Sequence, residues 1–140
     1  MKRLMQVSPT GSYQITIPTD VQEETDQRVR SYWRSGADLL LQVSSSRRRR
    51  GRQVGAAERL RIRLGRGYLR DVVRPRLAIP GCPDQASAMG LDAYGLTWLY
   101  CYCVWPDLTV FAKVSSKGLR PDVSGNWAIE ALESIRRTPQ

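Results

Sequence analysis

The stretch "LTWLYCYCVWPDLTVFAKVS" at 96–115 constrains this chain more than any other. Two runs of apolar, β-branched and aromatic residues flank Pro106-Asp107, and Pro followed by a polar residue suits a tight turn between two strands. A two-residue turn sets the register: Trp105 opposes Leu108, and the pairs continue as 103:110, 101:112 and 99:114. Because strand side chains alternate between faces, one face then carries Leu99, Cys101, Cys103, Trp105, Leu108, Val110, Ala112 and Val114. That face is uniformly apolar and must be core. The other carries Trp98, Tyr100, Tyr102, Val104, Thr109, Phe111 and Lys113. Its aromatics are edged with hydroxyls and a cation. Two readings stand for it: a second packed layer beneath helices, or a partly open amphipathic surface for a protein or peptide segment. Trp98, Tyr100, Tyr102 and Phe111 are the candidate binding residues.

Around this hairpin the chain reads as a single α+β domain over 1–140, mainly antiparallel, with helices packed on the sheet. "SYQITIP" at 12–18 alternates as a half-buried strand. "TDVQEETDQRVRSYWRSG" has the features of a helix over 20–34. Thr19 or Asp20 can cap it, acids crowd its start, Arg28, Arg30 and Arg34 come late, and Gly36 can close it. On that reading Trp33 belongs to the buried stripe. "DLLLQVSS" at 38–45 reads as a central strand. In "AAERLRIRL" at 56–64, alternation favours a strand while the Ala, Glu, Arg and Leu content and the spacing of Ala56, Ala57, Leu60 and Leu64 favour a helix. We favour the helix. A Pro-punctuated edge strand and loop follow, then strands at 86–92, 96–105 and 108–115, and a closing helix at 126–137 with Asn126 at its cap.

Charge is concentrated rather than spread. The chain carries +9 overall, yet Arg47–Arg76 alone holds twelve Arg against two acids, Glu58 and Asp71, a local +10. Arg47, Arg48, Arg49, Arg50 and Arg52 form the densest part. Such a run is either a solvated loop and helix face, a grip on phosphates, or a surface for an acidic protein partner. Base stacking would want interleaved aromatics, and only Tyr68 is near.

Chemistry that would mark an enzyme is missing from the sequence. There is no His, which removes His-based triads and shuttles and the commonest metal ligand. "GRGYLRD" lacks the ending and spacing of a phosphate loop. Cys101 and Cys103 share the apolar strand face, and Cys82 supplies only a third sulfur, so we expect core thiols rather than a zinc site. No metal or cofactor is expected. The opening "MKRLMQV" breaks into Ser8, Pro9 and Gly11 before any leader-like apolar run, and no run is long enough to span a bilayer. With an odd number of cysteines, the expectation is a cytoplasmic protein.

The order carried by "GSYQITIPTD", "LLLQVSS", "AAERLRIRL", the long hairpin and "NWAIEALESIRR" resembles the PsbP-like superfamily. That group includes the Ran-binding Mog proteins, the DcrB-type lipoproteins and the Eag-type chaperones of type VI effectors. The resemblance implies an α/β sandwich and a binding role without catalysis; no signature motif transfers a functional residue. The expectation is therefore a protein-binding adaptor or chaperone-like accessory factor, recognising a protein or peptide segment for which an acidic character suits the charge. A homodimer is compatible with it. The alternative is a basic nucleic-acid-binding protein using Arg47–Arg52.

Overall fold

A computed structural model describes residues 3–7, 11–34, 39–47, 54–67, 69–117 and 126–139. The elements in chain order are β1 (Arg3–Val7), β2 (Tyr13–Pro18), β3 (Gln22–Asp26), β4 (Val29–Trp33), β5 (Leu39–Arg47) and α1 (Ala56–Leu64). There follow β6 (Arg70–Val73), β7 (Asp84–Leu91), β8 (Leu96–Trp105), β9 (Leu108–Lys117), α2 (Trp127–Glu133) and β10 (Arg136–Arg137). Seven strands form one antiparallel sheet in the order β3-β4-β5-β9-β8-β7-β6, and β1-β2-β10 form a smaller one. The α+β class with helices packed on antiparallel sheets is the class the sequence pattern implies.

The β8–β9 hairpin has the register read from its turn, with Trp105 opposite Leu108 and Leu99 opposite Val114. Its apolar face is the core. Leu99 and Val114 are wholly buried, and Cys101, Cys103, Val110 and Ala112 are nearly so. Leu41 and Val43 of β5 continue this inner face beside Val114 and Ala112. Against it pack α2 and the Tyr13, Ile15 and Ile17 side of β2. Asn126 caps α2 as its position suggests: its Oδ1 accepts from Ala128 N at 2.7 Å, satisfying a first-turn amide. The helix is shorter than 126–137. It stops at Glu133, and Arg136 and Arg137 leave it to pair with Gln14 and Tyr13 of β2.

The segment 20–34 is not a helix. It forms the hairpin β3–β4, turning through Gln27 at φ +54°, and β4 pairs onward with β5 so that Tyr32 lies opposite Leu41. The charge gradient that suggested a helix dipole serves the hairpin instead. Glu23 on β3 meets Arg30 on β4 at 3.4 Å, and Asp20 meets Arg34 across the base at 3.0 Å. Acids early and bases late neutralise one another across two strands as readily as they complement a helix. Trp33 is accordingly half-buried, on the face opposite Tyr32.

The helix reading of 56–64 holds, and the structure supplies the cap that the local sequence lacks. Gly55 has no side chain to accept from the first turn. Asp84, at the start of β7, does so from 28 residues away, its Oδ2 accepting from Ala56 N at 3.0 Å. β6 is the edge strand expected from the Pro-rich stretch. It is short and its register slips between Arg70 and Val73, a break that discourages edge-to-edge association.

Candidate functional site

The face of the large sheet away from the main core is built in rows. Through the pairings of β4, β5, β9, β8 and β7, one row runs Trp33, Leu40, Ser115, Trp98, Gly90 and the next Ser31, Gln42, Lys113, Tyr100, Ala88. A third runs Val29, Ser44, Phe111, Tyr102, Ala86. Helix α1 packs over the β7–β8 side of this face. Ala56 and Leu60 meet Ala88, Tyr102 and Val104, with Tyr100 and Phe111 at the margin. A packed layer thus covers one end, where Tyr102 is only 6% exposed. Trp98, Tyr100, Phe111 and Lys113 remain half-buried.

All four candidate aromatics come together. Trp98 and Tyr100 have ring centroids 6.3 Å apart, Tyr100 meets Phe111 edge-on at 5.7 Å, and Phe111 stacks on Tyr102 at 4.5 Å. Two cations sit on this array. Arg63 from α1 lies 4.0 Å above the Phe111 ring, and its Nε donates to the Tyr102 hydroxyl at 2.6 Å. Lys113 places its ammonium 5.7 Å from the Trp98 ring. Such contacts turn the negative faces of the rings to use. Burial, with Arg63 adding repulsion, pushes the Lys113 ammonium below its ordinary value. Burial likewise raises the Tyr100 phenol.

Asp92 pins the end of the array. It accepts from Trp98 Nε1 at 2.8 Å and from the amides of Tyr94 and Leu96. The indole bond first, and then these amides, hold its carboxyl below the usual range. A depressed carboxyl contributes stability above its unfolded value, near pH 4, and loses it as pH falls through the folded value. Melting curves between pH 2 and 6 should therefore show an acid-side loss that is smaller in Asp92→Asn. Identical acid limbs would remove Asp92 from this role.

The other candidates fare differently. Arg47 is exposed at the end of β5, while Arg48, Arg49, Arg50 and Arg52 lie outside the described residues. The three thiols are free and buried; Cys101 and Cys103 belong to the core, and Cys82 donates to Asp84 O. Among the described residues no group of His, Cys, Asp and Glu is placed to hold a metal. No described helix is long and apolar enough to cross a membrane.

Arg63 and Asp92 have no place in the sequence reading, while Lys113 enters it only as a member of the aromatic face and Trp33 only as a buried residue of the expected helix. Lys113 was within reach, because hairpin parity puts it on the face of Phe111. Arg63 was not, since its partner Tyr102 is 39 residues away. Arg63 also lines a cavity of about 250 Å³ with Val54, Arg59, Ile62, Arg66 and Tyr102.

No family model matches the chain, and no curated protein matches it. Fifteen chains of solved structures do match. One is a crystal structure from Bacteroides thetaiotaomicron VPI-5482, 13% identical, with a TM-score of 0.65. The match covers all of this chain and half of that one. At this identity the likeness defines a class by fold, the antiparallel α+β sandwich, and nothing finer.

Proposed function

We propose that this chain is a non-catalytic, cytoplasmic protein-binding module, an adaptor or chaperone-like accessory factor, whose partner rests on the aromatic outer face. The observation that carries this reading is the continuous ring array from Trp98 to Tyr102, which among the described residues α1 covers at one end. Tyr and Trp with an apolar body and a polar edge dominate binding energy at many interfaces. Trp98 and Tyr100 make the direct contacts, and Tyr102 and Phe111 hold Arg63 beside them. Membership of the broad PsbP-like group fits this role and is supported by the order of the elements.

The test begins with recovery of a cross-linked partner from the source cells. Tyr100→Ala should then weaken its binding by about tenfold or more with little change in melting temperature, and Trp98→Ala should weaken it likewise while also losing the stabilising bond to Asp92. A marked loss of stability with unaltered affinity per folded molecule would make this face internal packing only. The local +10 of Arg47–Arg76 favours a second reading, a nucleic-acid-binding surface including Arg47–Arg50 and Arg52. Binding to random-sequence DNA that falls steeply with salt would support it, because phosphate contacts release counterions.

A further inference from the structure

We propose that the cavity between α1 and the sheet is a site for a phosphate dianion, either free or carried as a monoester on a small molecule. The cavity is lined by Val54, Arg59, Ile62, Arg63, Arg66 and Tyr102, with no carboxylate among them. Arg59 and Arg63 stand one helical turn apart, and Arg66 follows in the turn that closes α1. Like charges at this spacing repel. The negative end of the helix accounts for bases in its last turn, but not for drawing one inward over an aromatic ring. Arg63 is drawn inward, fixed by Phe111 beneath it and by its Nε bond to Tyr102. Among the described residues its terminal nitrogens have no hydrogen-bond partner.

The result is a positioned guanidinium fork, two further guanidiniums and a phenol that already accepts one bond and has its own proton to donate. A carboxylate would engage one fork. The tetrahedral oxygens of a phosphate dianion can engage several at once, which is the recognition that Arg geometry suits. This inference stands independently of the protein-binding reading, since it concerns the α1 side of the face and a small ligand.

The experiment is a calorimetric or NMR titration of the whole protein at low salt with inorganic phosphate, glycerol 2-phosphate and sulfate. Both phosphates should bind saturably, and the monoester should tighten as pH rises through its second ionisation near 6. Sulfate, whose charge does not change there, should show no such rise. Tighter binding of inorganic phosphate than of glycerol 2-phosphate identifies the free ion as ligand; the reverse identifies a monoester. Arg66→Gln should weaken binding by about tenfold, the loss of a charge-assisted bond. Arg61→Gln, which removes an exposed Arg paired with Glu58 outside the cavity, should not. Equal losses in the two variants, non-saturable binding, or binding of a single-stranded oligonucleotide but of neither phosphate would overturn the site.

Discussion

Tyr32→Ala is expected to cost about 3–5 kcal/mol of folding stability, as large aromatic truncations in cores do. Tyr32 is 1% exposed, lies opposite Leu41 on the central β5 and belongs to the main core. Its neighbour Trp33 points to the other face and is half-buried, so Trp33→Ala should cost distinctly less. In a helix the two side chains would share one packed stripe, and their truncations would cost similar amounts. Urea melts of the two variants therefore decide between hairpin and helix. Tyr32→Phe adds a refinement. Among the described residues the buried Tyr32 hydroxyl has no partner in full hydrogen-bond geometry. Burial disfavours its ionised phenol more than Arg30 beside it favours that form, so removing the hydroxyl should cost little. Equal costs for the two alanine variants would restore the helix.

Gly81→Ala is expected to destabilise by about 3 kcal/mol, the upper part of the range for overpacking. A Cβ there would lie 2.6 Å from the Ile135 carbonyl oxygen and 2.9 Å from Arg136 Cβ. These atoms sit where the chain leaves α2 and enters β10. Ile135 is itself 1% exposed, so neither side can yield without moving the closing strand away from β2. Gly95 makes a useful control. Its φ is +82° with nothing within 4 Å of an added Cβ, so Gly95→Ala meets only the left-handed backbone penalty of about 1–2 kcal/mol. If Gly81→Ala melts like the wild type, the close approach of the 80–82 loop to β10 is not a real constraint on the fold.

The residues that resisted reading are those whose partners are distant. A helix at 20–34 was suggested by acids preceding bases, by a capping residue and by a closing Gly. The charge order suits equally a hairpin whose strands carry opposite charges, as the Glu23–Arg30 and Asp20–Arg34 pairs do, and Gly36 lies outside the described residues. Local composition does not separate the two; what separates them is the unfilled edge of β5, which accepts β4 as a neighbour. The strand β10 was hidden for the same reason, because two residues acquire strand geometry only by meeting Gln14 and Tyr13.

The candidate site divides along the same line. Parity and a two-residue turn sufficed, within the sequence, to place Trp98, Tyr100, Tyr102 and Phe111 on one face and the eight apolar partners on the other. Side-chain alternation is local geometry and holds wherever the strands go. The sequence also contained the helical content of 56–64 and the Asn126 cap, both governed by neighbouring residues. Only the tertiary structure decided which part of the aromatic face α1 covers. It also brought Asp84 to the first turn of that helix, and Arg63 over Phe111 beside the Tyr102 hydroxyl. Those contacts join residues tens of positions apart, and their geometry comes from packing a helix onto a sheet, which no local pattern encodes.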